Sequence, residues 1–191
     1  YDAFMKHNGF DRMAREMIAT SDFRRDASTR ADALDRFQTT IKKGEMPRWM
    51  TEALTEVQKK FPRGTSIRCR SSTNNEDLPG FSGAGLYDSY THHPDEGHLS
   101  KSIKQVFASL WNFRAYEERE FYRIDHMTTA MGVLLHDNFS DEQSNGVAVT
   151  EETPFYLASV AKSVTAWCVV HAAAAGKLDL DPTVEKVVPD I

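Results

Sequence analysis

The 191-residue chain has little cysteine, no long apolar run and no excess of positive charge. Its two cysteines are too few for a disulfide framework, so a reducing, cytoplasmic compartment is expected. The longest apolar stretch, residues 164–176, contains His171 and is too short to span a bilayer, so no membrane partner is expected. A net charge of −5 and a pI of about 5.8 disfavour nonspecific binding to nucleic acid. The sequence does not open on a signal-peptide pattern, and an opening Tyr1 instead of Met predicts a fragment of a longer protein.

Apolar residues make up 40% of the chain, and the 11 Phe, 3 Trp and 6 Tyr can fill a core. Charged residues at 27% fit a folded globular domain better than a disordered segment. Helical spacing predicts a helix over residues 30–43 that Gly44 ends, and another that begins at Pro47. The inner stripe of this second helix is expected to contain Trp49, Met50, Leu54, Val57 and Phe61.

Strands are predicted at residues 65–70, 86–90, 131–136 and 146–150, with a further helical region between residues 95 and 123. Helices therefore come first, followed by strands mixed with helices. This order predicts an α/β or α+β architecture.

A serine- and glycine-rich segment follows the first predicted strand and begins at Arg70. Glycine allows a backbone to approach a ligand closely, and successive backbone N–H groups can bind an anion. The Arg70 guanidinium suits phosphate, and the hydroxyls of Ser71, Ser72 and Ser82 are further candidate donors. These residues predict a phosphate site in a loop over residues 71–85. Composition alone leaves open a plain hairpin loop with one surface arginine.

The segment Arg-Ser-Ser, then Glu-Asp, then Gly-Phe-Ser-Gly-Ala-Gly-Leu-Tyr-Asp-Ser resembles the phosphoenolpyruvate synthase and pyruvate phosphate dikinase family. The motifs Gly-Glu-Met-Pro, Ala-Ser-Leu-Trp and Ser-Asn-Gly-Val-Ala-Val-Thr are also similar, and the likeness covers residues 10–150. It implies a partial ATP-grasp-like nucleotide-binding domain that uses ATP and magnesium. By resemblance Arg70 contacts the triphosphate, and Ser82, Gly83 and Gly85 belong to the loop that covers the phosphates.

Other parts of that family's site have no counterpart here. The upstream nucleotide-binding lysine, the downstream carboxylates that bind magnesium, and the phosphohistidine domain are all missing. The resemblance therefore implies a kinase fragment that is inactive alone, with its phosphoryl acceptor left open. Three histidines, His92, His93 and His98, lie in a polar stretch without metal-ligand spacing, and they are expected to be solvated.

The last part of the chain contains Ser159 and Lys162, three residues apart on one face of a predicted helix. Chance or N-capping by the serine explains most such pairs. The surrounding residues 153–191 nevertheless resemble the serine β-lactamase and penicillin-binding protein family, which implies Ser159 as nucleophile and Lys162 as base. Because no oxyanion hole accompanies the pair, we expect it to be catalytically silent.

The two resemblances predict an incomplete nucleotide-binding domain at residues 1–150 and a C-terminal helical β-lactamase-like segment at residues 151–191. Such a chain would be chimeric, with a natural or an artificial junction. The main functional hypothesis is an ATP-dependent phosphotransferase fragment. The alternatives are a serine hydrolase that uses Ser159 and Lys162, or a non-enzymatic scaffold.

Overall fold

A computed structural model describes residues 1–75, 81, 83, 85–139, 170, 171 and 173–176. The chain divides into two compact units, Tyr1–Asp141 and Glu142–Ile191. In the second unit the described residues form the end of a helix, where the Ala175 N–H donates to the His171 carbonyl. Gly176 follows with a positive φ of 67°, as a glycine after a helix often does. No helix in the described parts of either unit is long and apolar enough to cross a membrane.

The described part of the first unit contains seven helices. They are α1 (Asp2–His7), α2 (Phe10–Ala19), α3 (Ser21–Arg25), α4 (Ala27–Lys43), α5 (Arg48–Gln58), α6 (Ser100–Ser109) and α7 (Phe113–Phe121). The predicted helix over residues 30–43 is thus confirmed as part of α4, which begins three residues earlier. Its N-cap is Asp26, whose carboxylate accepts from the Thr29 N–H at 2.9 Å. Hydrogen bonds from Thr29 and Ser28 hold the pKa of Asp26 well below its usual range.

Gly44 ends α4 and also permits a close contact between helices. Its N–H donates to the Ile41 carbonyl at 3.0 Å. A Cβ at this position would lie 2.6 Å from the Phe10 ring and 2.9 Å from the Phe4 ring. Only glycine therefore lets the end of α4 pack directly on these two aromatic side chains.

Three antiparallel strands form the sheet in the described part of this unit: β1 (Ile67–Thr73), β2 (Tyr90–His92) and β3 (Met131–Asp137), in the order β2-β1-β3. Thr73 pairs with Met131, and Ile67 pairs with both Asp137 and His92. Helices and a small antiparallel sheet make this an α+β fold, in agreement with one of the two predicted classes. The predicted strand at residues 146–150 lies outside the described residues.

Aromatic side chains from several helices form the centre of the core. Trp111 contacts Phe37 edge to face, with ring centroids 5.0 Å apart, and its indole N–H donates to the Tyr1 hydroxyl at 2.9 Å. Phe4 contacts Phe10 at 5.7 Å and Phe107 at 5.6 Å. These pairs join α1, α2, α4 and α6, and aromatic contacts of this kind add to the stabilisation from burial.

The structure corrects several predictions of local structure. The first strand continues to Thr73, so residues 71–73 belong to a strand and not to the predicted loop. The returning strand is Tyr90–His92 and not residues 86–90. Trp49 does lie on a helix, α5, but it is 60% exposed and not part of an inner stripe. The other residues predicted for this stripe, Met50, Leu54, Val57 and Phe61, are half-buried, and Met50, Leu54 and Phe61 pack against the core.

Candidate functional site

The two faces of β1 have different environments because side chains alternate along a strand. On the inner face Ile67, Cys69 and Thr73 are buried against the helices. On the outer face lie the exposed Arg70 and Ser72. The polar end of the strand thus has one face in the core and one face turned to solvent.

Arg68 and Arg70 share the outer face but differ in their partners. Arg68 is half-buried, and its Nη1 donates to the Thr91 hydroxyl at 2.9 Å. Arg70 is exposed and makes no hydrogen bond or ion pair within the described ranges. Its partner on β3 is Leu134, which is 59% exposed. The Arg70 guanidinium is therefore available to a ligand, whereas that of Arg68 stabilises the sheet.

The three serines predicted to donate to phosphate have three different positions. Ser72 is exposed on the same face as Arg70, opposite Gly132 on β3. Ser71 is half-buried on the inner face, opposite Val133, so its side chain does not share a face with Arg70. Ser82 lies outside the described residues, and the binding roles of all three serines stay predictions.

The chain returns to the sheet through Gly83 and Gly85. The Gly83 carbonyl accepts from the Leu86 N–H at 3.2 Å, which forms a turn. Gly85 has a φ of 72°, a conformation that side chains other than hydrogen disfavour. The Gly85 carbonyl accepts from the Arg114 guanidinium at the start of α7. These bonds fix the backbone of both glycines that were predicted to bind phosphate.

The chain leaves β1 through Asn74 and Asn75, which pair with the segment before β3. The Asn74 Nδ2 donates to the Thr128 carbonyl at 3.0 Å, and its Oδ1 accepts from the Ala130 N–H at 2.9 Å. Asn75 is buried, and its Nδ2 lies 3.5 Å from the Thr129 hydroxyl. Side-chain amides thus extend the β1–β3 pairing beyond the end of the strands.

A buried arginine lies beneath the returning segment. Arg119 on α7 is fully buried, and its Nε donates to His126 Nδ1 at 3.0 Å. Its Nη1 donates to the Tyr87 hydroxyl at 3.3 Å, and its Nη2 donates to the Leu110 carbonyl at 2.7 Å. His126 Nε2 lies 2.7 Å from a carboxylate oxygen of Glu120. Because an arginine only donates, His126 is neutral at Nδ1 and places its proton on Nε2, toward Glu120.

Burial determines the proton equilibria of this cluster. Burial lowers the pKa of Arg119 from 12.5, although neighbouring tyrosines oppose the effect. Burial also lowers the pKa of His126, against the opposing hydrogen bond to Glu120. Burial raises the pKa of Glu120, but the hydrogen bonds from His126 and Tyr116 and the nearby positive charge together lower it below 4.5. The arrangement therefore favours a charged Arg119 beside a neutral His126 and an ionised Glu120.

Sequence reasoning missed Asn75, Tyr87 and Arg119 as residues of this region. One signal was present for Arg119, because it follows the buried Ala115 and Tyr116 at helical spacing and so occupies a core position of α7. Tyr87 lies in the motif that carries the family resemblance, but its contacts and those of Asn75 cannot be read from local sequence, because their partners lie on other segments.

The three histidines of the polar stretch have different environments in the structure. No group of three or more His, Cys, Asp or Glu side chains suited to a metal was found among the described residues. His92 was expected to be solvated, but it is only 2% exposed and lies 3.0 Å from the Ser102 hydroxyl and 3.2 Å from the Gly97 carbonyl. His93 is exposed as expected, and His98 is half-buried next to Thr55. His92 was misread because the short strand β2 places it beneath α6.

Comparison with known proteins identifies the family. The model of the pyruvate phosphate dikinase AMP/ATP-binding domain matches residues 1–181. A phosphoenolpyruvate synthase of Aeropyrum pernix is 33% identical over 113 residues, which cover 55% of this chain and 13% of that protein. A probable phosphoenolpyruvate synthase of Methanocaldococcus jannaschii is 28% identical over 155 residues, 78% of this chain and 13% of that protein. A rifampicin phosphotransferase of a Streptomyces species is 30% identical over 90 residues, 47% of this chain and 10% of that protein.

The chain thus spans about an eighth of the length of the two phosphoenolpyruvate synthases. The family match continues past the predicted junction near residue 150, and neither it nor these relatives support a β-lactamase-like segment. Ser159 and Lys162 lie outside the described residues, so their proposed chemistry stays a prediction from sequence. On the extent of the family match, the chain belongs to the pyruvate phosphate dikinase AMP/ATP-binding domain family.

Proposed function

We propose that the chain is the nucleotide-binding part of an ATP-dependent phosphotransferase of the phosphoenolpyruvate synthase type. The phosphates of ATP would bind on the outer face of the sheet, between Arg70 and Gly85. The observation that carries this proposal is the exposed Arg70 guanidinium, which has no protein partner in the described ranges. A neighbouring arginine, Arg68, is bound to Thr91, so the two positions differ in what they offer to a ligand.

Physical chemistry supports phosphate at this position. A guanidinium presents paired donors that match two phosphate oxygens, and its charge does not depend on pH in the physiological range. Ser72 adds a hydroxyl on the same face. Gly85 is exposed and has no Cβ, so a phosphate can approach its backbone closely, whereas Gly83 is buried.

Three parts of the proposal come from the resemblance. The fold would be ATP-grasp-like, the segment with Ser82, Gly83 and Gly85 would cover the phosphates, and magnesium would accompany ATP. Magnesium would neutralise phosphate charge. The described residues contain no cluster of three candidate ligands for it. The relatives named above differ in the acceptor that their names state, so the acceptor of this chain stays open.

Titration of the chain with MgATP, followed by backbone amide shifts, tests the site. We expect a dissociation constant on the order of 1 mM, about −4 kcal/mol, because the described residues offer the phosphates one exposed guanidinium, one hydroxyl and a glycine turn. Shifts should be largest at Arg70, Ser72 and Gly85, with smaller changes at the buried Cys69. Shifts elsewhere, with none at these three residues, would contradict the proposal.

Two arginine substitutions make the test specific. Arg70→Ala should weaken MgATP binding at least tenfold, since a hydrogen bond to a charged group contributes about 1.5–3 kcal/mol. Arg48→Ala removes the same charge from an exposed position on α5, where Arg48 pairs with Glu52, and should leave the affinity nearly unchanged. Equal losses in both variants would indicate a general charge effect and not a site.

A further inference from the structure

The buried polar cluster around Arg119 is linked through Tyr87 to both chain segments that border the proposed phosphate site. We call Asn74–Asn75 the outgoing leg and Gly85–Tyr87 the return leg. The outgoing leg pairs with residues 128–130, and the return leg contacts α7 through Arg114. A side-chain hydrogen bond connects the two legs directly, because the Tyr87 hydroxyl lies 3.4 Å from Asn75 Oδ1.

The direction of these hydrogen bonds is fixed by Arg119. Its Nη1 can only donate, so the Tyr87 oxygen accepts at 3.3 Å and its proton is directed to Asn75 Oδ1. The remaining nitrogens of Arg119 bind His126 Nδ1 and the Leu110 carbonyl. The guanidinium is thus held on three sides, and Tyr87 is held between it and Asn75.

Arg119 is fully buried at a core position of α7, and removing its charged guanidinium from water costs free energy. Among the described residues no carboxylate binds it directly, and Glu120 is linked to it through His126. An apolar side chain would fill the same volume without the cost of desolvation, so buried polar clusters of this kind contribute more to specific geometry than to stability. Here the geometry that depends on Arg119 is the separation of the two legs.

We propose that Arg119 is a positioning residue that acts through Tyr87 to hold the outgoing and return legs at a fixed separation. This inference rests on the proposed function, since the legs border the phosphate site between Arg70 and Gly85. Fixed legs keep the backbone of Gly85 at a constant distance from the end of β1, so that phosphate donors are in place before the ligand binds.

The experiment compares two tyrosine-to-phenylalanine variants of the full chain. Tyr87→Phe removes the hydroxyl that joins Arg119 to Asn75 and keeps the ring. Tyr116→Phe is the matched control, because its hydroxyl donates to Glu120 at 3.2 Å and has no bond to either leg. Amide hydrogen exchange at Asn74 and Leu86, which donate to Ala130 and Gly83, reports on each leg without any nucleotide.

We expect exchange at both amides to be at least tenfold faster in Tyr87→Phe than in Tyr116→Phe, and MgATP to bind threefold to tenfold more weakly. Asn75→Ala breaks the same link from the other leg and should accelerate exchange at Leu86, which keeps the test decisive if Tyr87→Phe unfolds. Equal exchange in all variants would overturn the positioning role. If the wild-type chain does not bind MgATP, the proposed function fails, while the exchange rates still decide whether Arg119 holds the legs.

Discussion

The inner and outer faces of β1 and β3 differ in how far their side chains are exposed to solvent. On β3 the inner residue Met131 is 2% exposed, whereas Leu134 on the outer face is 59% exposed. On β1 the inner Cys69 is fully buried, and its neighbour Arg70 is exposed. One face contributes the burial that holds the sheet to the helices, and the other presents charge to solvent.

This difference shows how a short strand supports stability and binding at once. Because the side-chain period is two residues, a packing residue and a binding residue are neighbours in the sequence. A shift of register by one residue would exchange the two faces completely, so the buried face also determines where Arg70 points. The packing of Ile67, Cys69 and Met131 therefore positions the outer face.

The largest expected effect comes from alanine substitutions on the two faces of β3. Met131→Ala should lower the free energy of unfolding by about 2–5 kcal/mol, because it leaves a cavity in the core. Leu134→Ala on the same strand should change it by at most about 0.5 kcal/mol. Urea denaturation followed by circular dichroism measures both, and similar losses in the two variants would mean that the faces are not distinct.

A smaller decrease in the free energy of unfolding is expected at Gly44, where helices and not strands approach closely. Gly44→Ala places a Cβ 2.6 Å from the Phe10 ring, so the ring or the end of α4 must move. Overpacking of this kind costs about 1–3 kcal/mol. Glu45→Ala, one residue further and exposed, is the control and should be nearly neutral in the same denaturation assay. Unchanged stability in Gly44→Ala would show that the contact with Phe10 is looser than the structure indicates.

The buried His126 should make the free energy of unfolding modestly dependent on pH. Burial lowers its pKa in the folded chain below the ordinary 6.5, so the unfolded chain binds more protons just below that pH. Stability should therefore fall as the pH decreases through 6.5. His126→Asn keeps an acceptor for Arg119 but does not titrate, so its unfolding free energy should decrease less from about pH 7.5 to about pH 5.5. Parallel pH profiles for the two proteins would contradict this assignment, since the other histidines are common to both.

The smallest expected effect is on thiol reactivity, measured at one position on each face of β1. Burial raises the pKa of Cys69 to about 11, so at pH 8 only about one thiol in a thousand is the reactive thiolate. In a Cys168→Ser background, we expect Cys69 to react with a thiol reagent only after denaturation. Ser72→Cys, on the outer face of the same strand, should add one thiol that reacts in the native protein. Fast native labelling of Cys69 would show that the inner face is open to solvent.

Sequence reasoning succeeded where the determining interactions are local. The apolar spacing of Leu34, Phe37 and Ile41 predicted α4, and all three side chains are buried. The motif that begins at Arg70 pointed to the family that the comparisons identify. Both are properties of a continuous segment and do not need knowledge of its partners.

The predictions that were wrong share one cause, which is contact between segments that are distant in the sequence. Ser71, Ser72 and Thr73 look like a loop, yet they pair with β3 and continue the strand. Trp49 has the spacing of an inner residue, but α5 packs too shallowly to bury it. His92 was expected to be solvated, but α6 covers it. Arg119 is a charged residue, but its position on α7 places it in the core.

The β1–β3 pairing also has a consequence for the order in which the chain folds. Its register joins Thr73 to Met131 and Ile67 to Asp137, and α6 and α7 lie between these strands in the sequence. Closing such a loop is entropically unfavourable until the non-local contacts form, so helices are expected before the sheet. During synthesis, Arg70 leaves the ribosome long before β3 does. The outer face can therefore become a defined surface only after residue 137 has been made, and a nascent chain that stops before β3 would contain the phosphate-binding motif without its geometry.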